Sequence, residues 1–396
     1  MRPESEHADG KIICSLTLIH FIGDFFSSFI HPLLPVLVAK FTLSLTQVGI
    51  LTGMARVMAF VVQPPVGYLA DHYPTRLFIL GGPLLVMVCI SLIGLAPSFG
   101  VLLLLVTIGS IGSSMFHPTV AGMISTYSGR RFGLAMSIFA MGGTLSFGVG
   151  PVFISWLVAS YGLEATPYSL FIGLAVMAYL FATVPLPREE GLRQFGLLGS
   201  LREAFGSVWK PVLLIWTIMT LRAYVSQSFI TFLPILYSFQ GYSLMSIGLL
   251  VGIYTISGAV SGLVAGHLSD RIGFKPIFYG AHFLAVPSIY LLLLVPGNWI
   301  YLNVFLSGFF LLATLPLGVA LAQKLAPRGK SMASSLMMGL AMGTGGLMSP
   351  ITGKLADTFA LRSVLCAIAL IPLVTLFLVR FLPEPGAYES KARMDD

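Results

Sequence analysis

Apolar and polar positions alternate along this chain in long blocks. Runs of about 20 apolar residues, long enough to cross a bilayer core, are separated by short polar stretches. The runs fall at 12–38, 46–70, 77–95, 101–124, 131–158, 168–186, 211–238, 244–268, 276–295, 299–322, 330–357 and 361–382. Each predicts a helix, because a membrane-embedded backbone must satisfy its own hydrogen bonds. The only sizeable polar connection is 187–210, which contains LLGSLREAFGSVWK and reads as an amphipathic surface helix. The pattern predicts an all-α integral membrane protein with twelve transmembrane helices. It divides into a six-helix half at 1–186, a linker at 187–210 and a second six-helix half at 211–396.

The two halves carry one register. SLTQVGILTG at Ser44–Gly53 returns as SLMSIGLLVG at Ser243–Gly252, 199 residues on. The same offset joins GYLAD (Gly67–Asp71) to GHLSD (Gly266–Asp270), and Pro35 to Pro234, Gly109 to Gly308, Arg131 to Lys330 and Pro151 to Pro350. The halves are therefore expected to be pseudo-symmetric copies. In a chain this apolar, such duplication is how transporters with parallel repeats are built, with the substrate path between the copies.

Composition agrees with the pattern. Charged residues are 9% of the chain, against roughly 25% in soluble domains. The net charge of +7 would suggest nucleic acid, but its distribution does not. With both termini on the cytoplasmic side, seventeen of the 22 Lys and Arg residues fall in cytoplasmic segments and only Lys40 and Arg362 in outer loops. That is the positive-inside bias of a multi-pass protein, and a nucleic-acid partner has no place in it. Cys14, Cys89 and Cys366 lie in apolar stretches without metal-ligand spacing, so neither a disulfide framework nor a metal centre is expected. The start, MRPESEHADGK, reads as a short cytoplasmic tail.

Two loops carry a signature. GHLSDRIGFK at Gly266–Lys275 resembles the cytoplasmic loop motif of the major facilitator superfamily, and GYLADHYPTR at Gly67–Arg76 is its equivalent in the first half, with His72 and Pro74 as departures. Glycine permits close helix approach at such a turn, an Asp can sit at a helix N-terminus, and a following Arg can pair with it. The resemblance implies that Gly67, Asp71, Arg76, Gly266, Asp270 and Arg271 belong to a cytoplasmic gate. Arg131, Lys330, Pro151 and Pro350 are assigned to the same conformational machinery. GLAMSIFAMGGTLSFGVGP (Gly133–Pro151) resembles the glycine-proline signature of superfamily antiporters, and equally reads as ordinary close packing of small residues. Together with HFIGD (His20–Asp24), QPPVGYLADHYP (Gln63–Pro74), FHP (Phe116–Pro118) and the run ending GKLAD (Gly353–Asp357), it is similar to the fosmidomycin-resistance branch, over nearly the whole chain. That resemblance implies proton-driven export of small, often anionic compounds from bacteria, across the inner membrane. Members commonly have an acid directly after FHP. Here the residue is Thr119, so no proton site is carried over to that position.

Ionisable groups inside a span usually mark a pathway. Asp24 lies about 18 Å into the first helix and Arg56 about 15 Å into the second, at 1.5 Å per residue; a static or functional Asp24–Arg56 pair is expected. His20 stands one turn from Asp24, and His117 is placed lower, toward the cytoplasm. Asp24 is the expected proton carrier, with His20 and His117 as relays. Arg222, also near the midplane, would hold a carboxylate, phosphate or phosphonate with its planar fork; Arg56, Tyr224 and Gln227 complete the expected substrate contacts. The energy source would be the proton gradient, with no cofactor and no metal. The expected protein is a monomeric, proton-coupled exporter of a small anionic or amphiphilic compound. Uptake by symport or exchange is the alternative, since the fold supports either direction. A metalloenzyme using His20, Asp24, His31 and His117 is a remote one: His20 and His31 are eleven residues apart, and no HExxH or GxSxG motif occurs.

Overall fold

The computed structural model describes residues 9–72, 76–185, 208–295, 297, 299–326, 333 and 336–382; the side chain of Asp71 and those of several neighbours lie outside that description. The described residues are helical apart from short turns and connections, and include no strand. Twelve helical segments follow: α1 Gly10–Phe41, α2 Leu45–His72, α3 Leu77–Leu95, α4 Phe99–Tyr127, α5 Phe132–Tyr161, α6 Leu163–Thr183, α7 Trp209–Phe239, α8 Leu244–Ile272, α9 Phe274–Leu294, α10 Ile300–Leu325, α11 at 336–358 and α12 Leu361–Val379. Eleven of them are long and apolar enough to cross a membrane. The exception is α11, whose sequence is rich in glycine and carries Lys354 and Asp357.

Proline explains where the long helices break. A proline removes the hydrogen bond to the carbonyl four residues back and its ring crowds that carbonyl. Pro32 accounts for the interruption of α1 after Ser27, Pro316 for that of α10 after Leu312, and Pro372 for that of α12 after Ile368. Pro83 lies just beyond the wide π-type turn Leu77–Gly81 that opens α3. Pro350 starts the last segment of α11, at Ser349–Thr358. Its repeat mate Pro151 lies buried inside the continuous α5.

The sequence repeat reappears in backbone detail. Ser44 Oγ accepts from the Gln47 amide at 3.2 Å, and its mate Ser243 accepts from the Ser246 amide at 3.2 Å. These are the same helix N-cap used twice. Just before them, Thr42 (φ 50°) and Gly241 (φ 83°), also 199 residues apart, both turn the chain through the left-handed region.

The chain groups into two compact units, Met1–Leu192 with Tyr237–Gly252, and Arg193–Leu236 with Ile253–Asp396. In the first, small residues allow backbones to meet. A Cβ on Gly252 would stand 2.6 Å from the Gly148 carbonyl oxygen, and one on Gly248 2.7 Å from that of Pro151. The glycine run of α5 thus serves close packing. In the second, an apolar core gathers Ile215, Ile218, Phe278, Leu317, Leu321 and Met337. The expected linker lies outside the described residues except for its last three positions.

Candidate functional site

The first unit holds a buried acid between two imidazoles. Asp24, on the inner portion of α1, is 4% exposed. His20 Nε2 stands 3.1 Å from Asp24 Oδ2, and His117 Nε2, from α4, stands 3.1 Å from Oδ1. Each ring is fixed by its other nitrogen. His20 Nδ1 lies 2.9 Å from the Phe139 carbonyl oxygen of α5, and His117 Nδ1 lies 2.7 Å from that of Ser113, one turn back on α4. Carbonyl oxygens only accept, so both Nδ1 atoms carry protons and both Nε2 atoms face the carboxylate. Aromatic rings complete the setting: His20 stacks on Phe139 with centroids 4.1 Å apart, and His117 on Phe116 at 4.2 Å. Glycines make the room. A Cβ on Gly143 would strike the His20 ring and approach Asp24 Oδ2 to 3.1 Å, and a Cβ on Gly23 would strike the Phe116 ring.

One expectation changes here. His117, placed lower by residue counting, is in direct contact with Asp24. Counting residues along straight helices ignores tilt, which displaces depth by several ångströms over a span. The carboxylate oxygens of Asp24 are each engaged by a histidine. Arg56 lies within electrostatic range of Asp24 and of His31.

The second unit holds a separate buried polar group. Arg222 is 2% exposed and is the largest fully buried side chain among the described residues. Tyr254 and His282 lie within its electrostatic range. The Tyr254 hydroxyl donates to Ser226 Oγ at 3.3 Å, and His282 Nδ1 donates to the Phe278 carbonyl at 2.8 Å. Tyr254 and His282 were not anticipated; the signal available was the same one that flagged His20, an ionisable residue inside an apolar run. Tyr224 and Gln227 are both buried. Thr352 Oγ1 donates to the Tyr224 hydroxyl at 3.0 Å and lies 3.1 Å from Ser228 Oγ, tying α7 to α11, while Gln227 Nε2 donates to Thr231 Oγ1 at 3.1 Å.

The loop residues are less uniform than the signature implied. Gly266 has open space where a Cβ would stand, so close helix approach is not its role. Asp270 and Arg271 are exposed and lie in the last turn of α8, a helix C-terminus rather than an N-terminus. There the macrodipole favours the Arg and not the Asp. Gly273, at φ 84°, makes the turn into α9. Gly67 and Asp71 are helical residues of α2 whose side-chain surroundings lie outside the described residues, Arg76 is half-buried before α3, and Arg131 is exposed before α5. Lys330 lies outside the described residues.

Comparison with known proteins decides the class. The sequence profile of the Major Facilitator Superfamily matches residues 16–334 and again 241–395. The chain belongs to the major facilitator superfamily. It is 28% identical to the fosmidomycin resistance protein of Escherichia coli K12 over 94% of this chain and 93% of that one. It is 26% identical to YfnC, an uncharacterized MFS-type transporter of Bacillus subtilis 168, over 92% and 90% of the two chains. In fold it is similar to an inward-facing, occupied bacterial homologue of the human lysosomal transporter Spinster. There the TM-score is 0.81 at 17% identity, covering 94% of this chain and 96% of that one. This superfamily member is thus a multi-pass membrane transporter for a small molecule, and its relatives and fold are those of transporters rather than enzymes.

Proposed function

We propose that the protein exports a small anionic or amphiphilic compound in exchange for protons, by alternating access, with His20, Asp24 and His117 as the proton site. The observation that carries this reading is the pair of 3.1 Å contacts on Asp24. With both Nδ1 atoms committed as donors, a neutral ring presents only a lone pair at Nε2. Two lone pairs facing an ionised carboxylate repel, so each contact asks for one proton. The cluster therefore takes up to two protons and passes from a formal charge of −1 to +1 between empty and full. Such a change in a buried site is costly enough to bias which way a transporter opens.

Arg222 supports the anionic substrate. A buried guanidinium offers two parallel N–H groups to a carboxylate, phosphate or phosphonate, and Tyr254 and His282 add polar contacts in the same unit. Export rather than uptake is supported by the similarity to a resistance protein. The Lys and Arg distribution supports both termini in the cytoplasm and a bacterial inner-membrane location. A monomer suffices for this mechanism, and the proton gradient supplies the energy.

The direction is tested in proteoliposomes containing a trapped pH dye. Adding candidate anions, phosphonates included, should move protons opposite to the substrate. Protons and substrate entering together would make the protein a symporter and overturn the export reading.

A further inference from the structure

We propose that the same three side chains form a site for a divalent transition-metal ion of the zinc type, with Nε2 of His20, Nε2 of His117 and an Asp24 oxygen as ligands. This goes beyond the proton reading, and metal binding does not depend on it. The ligand atoms lie within 4.8 Å of one another, and each Nε2 is 3.1 Å from a carboxylate oxygen. A tetrahedral zinc ion with bonds of about 2.0 Å sets neighbouring ligand atoms about 3.3 Å apart, so small side-chain adjustments close the site.

The surroundings fit as well as the spacing. A metal-bound imidazole characteristically donates its other ring N–H to a carbonyl or carboxylate, which fixes both tautomer and orientation. Both histidines do so here, His20 to Phe139 and His117 to Ser113. Two imidazoles and one carboxylate suit zinc, cobalt and nickel, and hold calcium or magnesium poorly. Three protein ligands leave a coordination position open. His117, whose side chain is 30% exposed against 12% for His20 and 5% for Asp24, provides the approach. A single divalent ion also satisfies, as one particle, the two contacts that otherwise need a proton each. If the proton reading holds, bound metal occupies the proton site and inhibits transport.

The test is cobalt titration of the full-length protein, purified without a polyhistidine tag, followed by visible absorption. The expected result is one cobalt per chain, d–d bands of low coordination number, and displacement by zinc. His117→Gln and Asp24→Asn should each weaken binding about 100-fold or more, judged against the 10- to 100-fold typical of lost second-shell support. Among the described residues the exposed His267 belongs to no such ligand group, and His267→Gln should leave binding unchanged. Because the triad variants risk misfolding, X-ray absorption of zinc-loaded wild type provides an independent reading: two imidazoles and no sulfur in the first shell. No saturable binding to wild type, unaltered binding in both triad variants, or a first shell with sulfur or fewer than two imidazoles would overturn the site. Transport is scored separately. Cobalt bound at the triad, with proton coupling unaltered in Asp24→Asn, would keep the metal site and discard the proton reading.

Discussion

Gly143→Ala is a single methyl group aimed at the centre of the site. Its Cβ would stand 2.6 Å from His20 Nε2 and 3.1 Å from Asp24 Oδ2. Van der Waals contact begins near 3.5 Å, so the imidazole must retreat by about 1 Å. It has little freedom to do so, being stacked on Phe139 at 4.1 Å and anchored through Nδ1 to the Phe139 carbonyl at 2.9 Å. The ring must give up either that anchor or its contact with Asp24. A lost hydrogen bond to a charged group costs about 1.5–3 kcal/mol and overpacking about 1–3 kcal/mol. Alanine's better helix propensity returns about 1 kcal/mol. The net loss is about 1.5–5 kcal/mol, and it falls on the His20–Asp24–His117 cluster. The assay pairs thermal melting in detergent with substrate-driven proton movement in proteoliposomes. Gly280→Ala, where a Cβ meets nothing within 4 Å, serves as the control and should melt at or above wild type. Gly143→Ala should melt lower and lose proton coupling. Wild-type coupling in Gly143→Ala would refute the claim that His20 must hold its present position.

Other positions give independent checks. Arg222→Ala should abolish binding of an anionic substrate measured by scintillation proximity, with Arg222→Lys restoring part of it; unchanged anion transport in Arg222→Ala would remove Arg222 from the substrate site. Thr352→Val breaks the chain from Tyr224 to Ser228 and should cost about 1–3 kcal/mol through the polar partners left unsatisfied, read as a lower melting temperature. Gly241→Ala, at φ 83°, should cost about 1–2 kcal/mol. Its repeat mate Thr42→Gly should be neutral or slightly stabilising, and equal losses at both sites would contradict the shared turn geometry.

Much of the architecture was legible because its physics is local. Apolar length marks eleven spans; the breaks in α1, α10 and α12 before Pro32, Pro316 and Pro372 are findings of the structure. The repeat was visible in the segments that begin at Ser44 and Ser243, and the structure adds that both serines cap their helices. The twelfth span was the hardest to support, because α11 uses glycine where the others use leucine and isoleucine. Within the site, His20 and Asp24 were paired by helical spacing alone. The His117 contact was not foreseen, because it joins α4 to α1 at a depth set by tilt and packing. The same holds for Tyr254 and His282 beside Arg222, which three separate helices bring together. The gate motif misled in one respect. It describes residue types at a turn, whereas the roles of Gly266 and Asp270 depend on where α8 ends.

The proposed driver of the transport cycle is proton uptake by the His20–Asp24–His117 cluster, with the Asp24 carboxylate holding both protonated rings. The most direct measurement compares wild type with Asp24→Asn in proteoliposomes, under an imposed pH gradient and in substrate counterflow at equal pH. Asp24→Asn should keep counterflow, which needs no net proton movement, and lose uphill transport driven by the gradient. Uphill transport at the wild-type rate in Asp24→Asn would contradict it and leave Asp24 a structural member of α1.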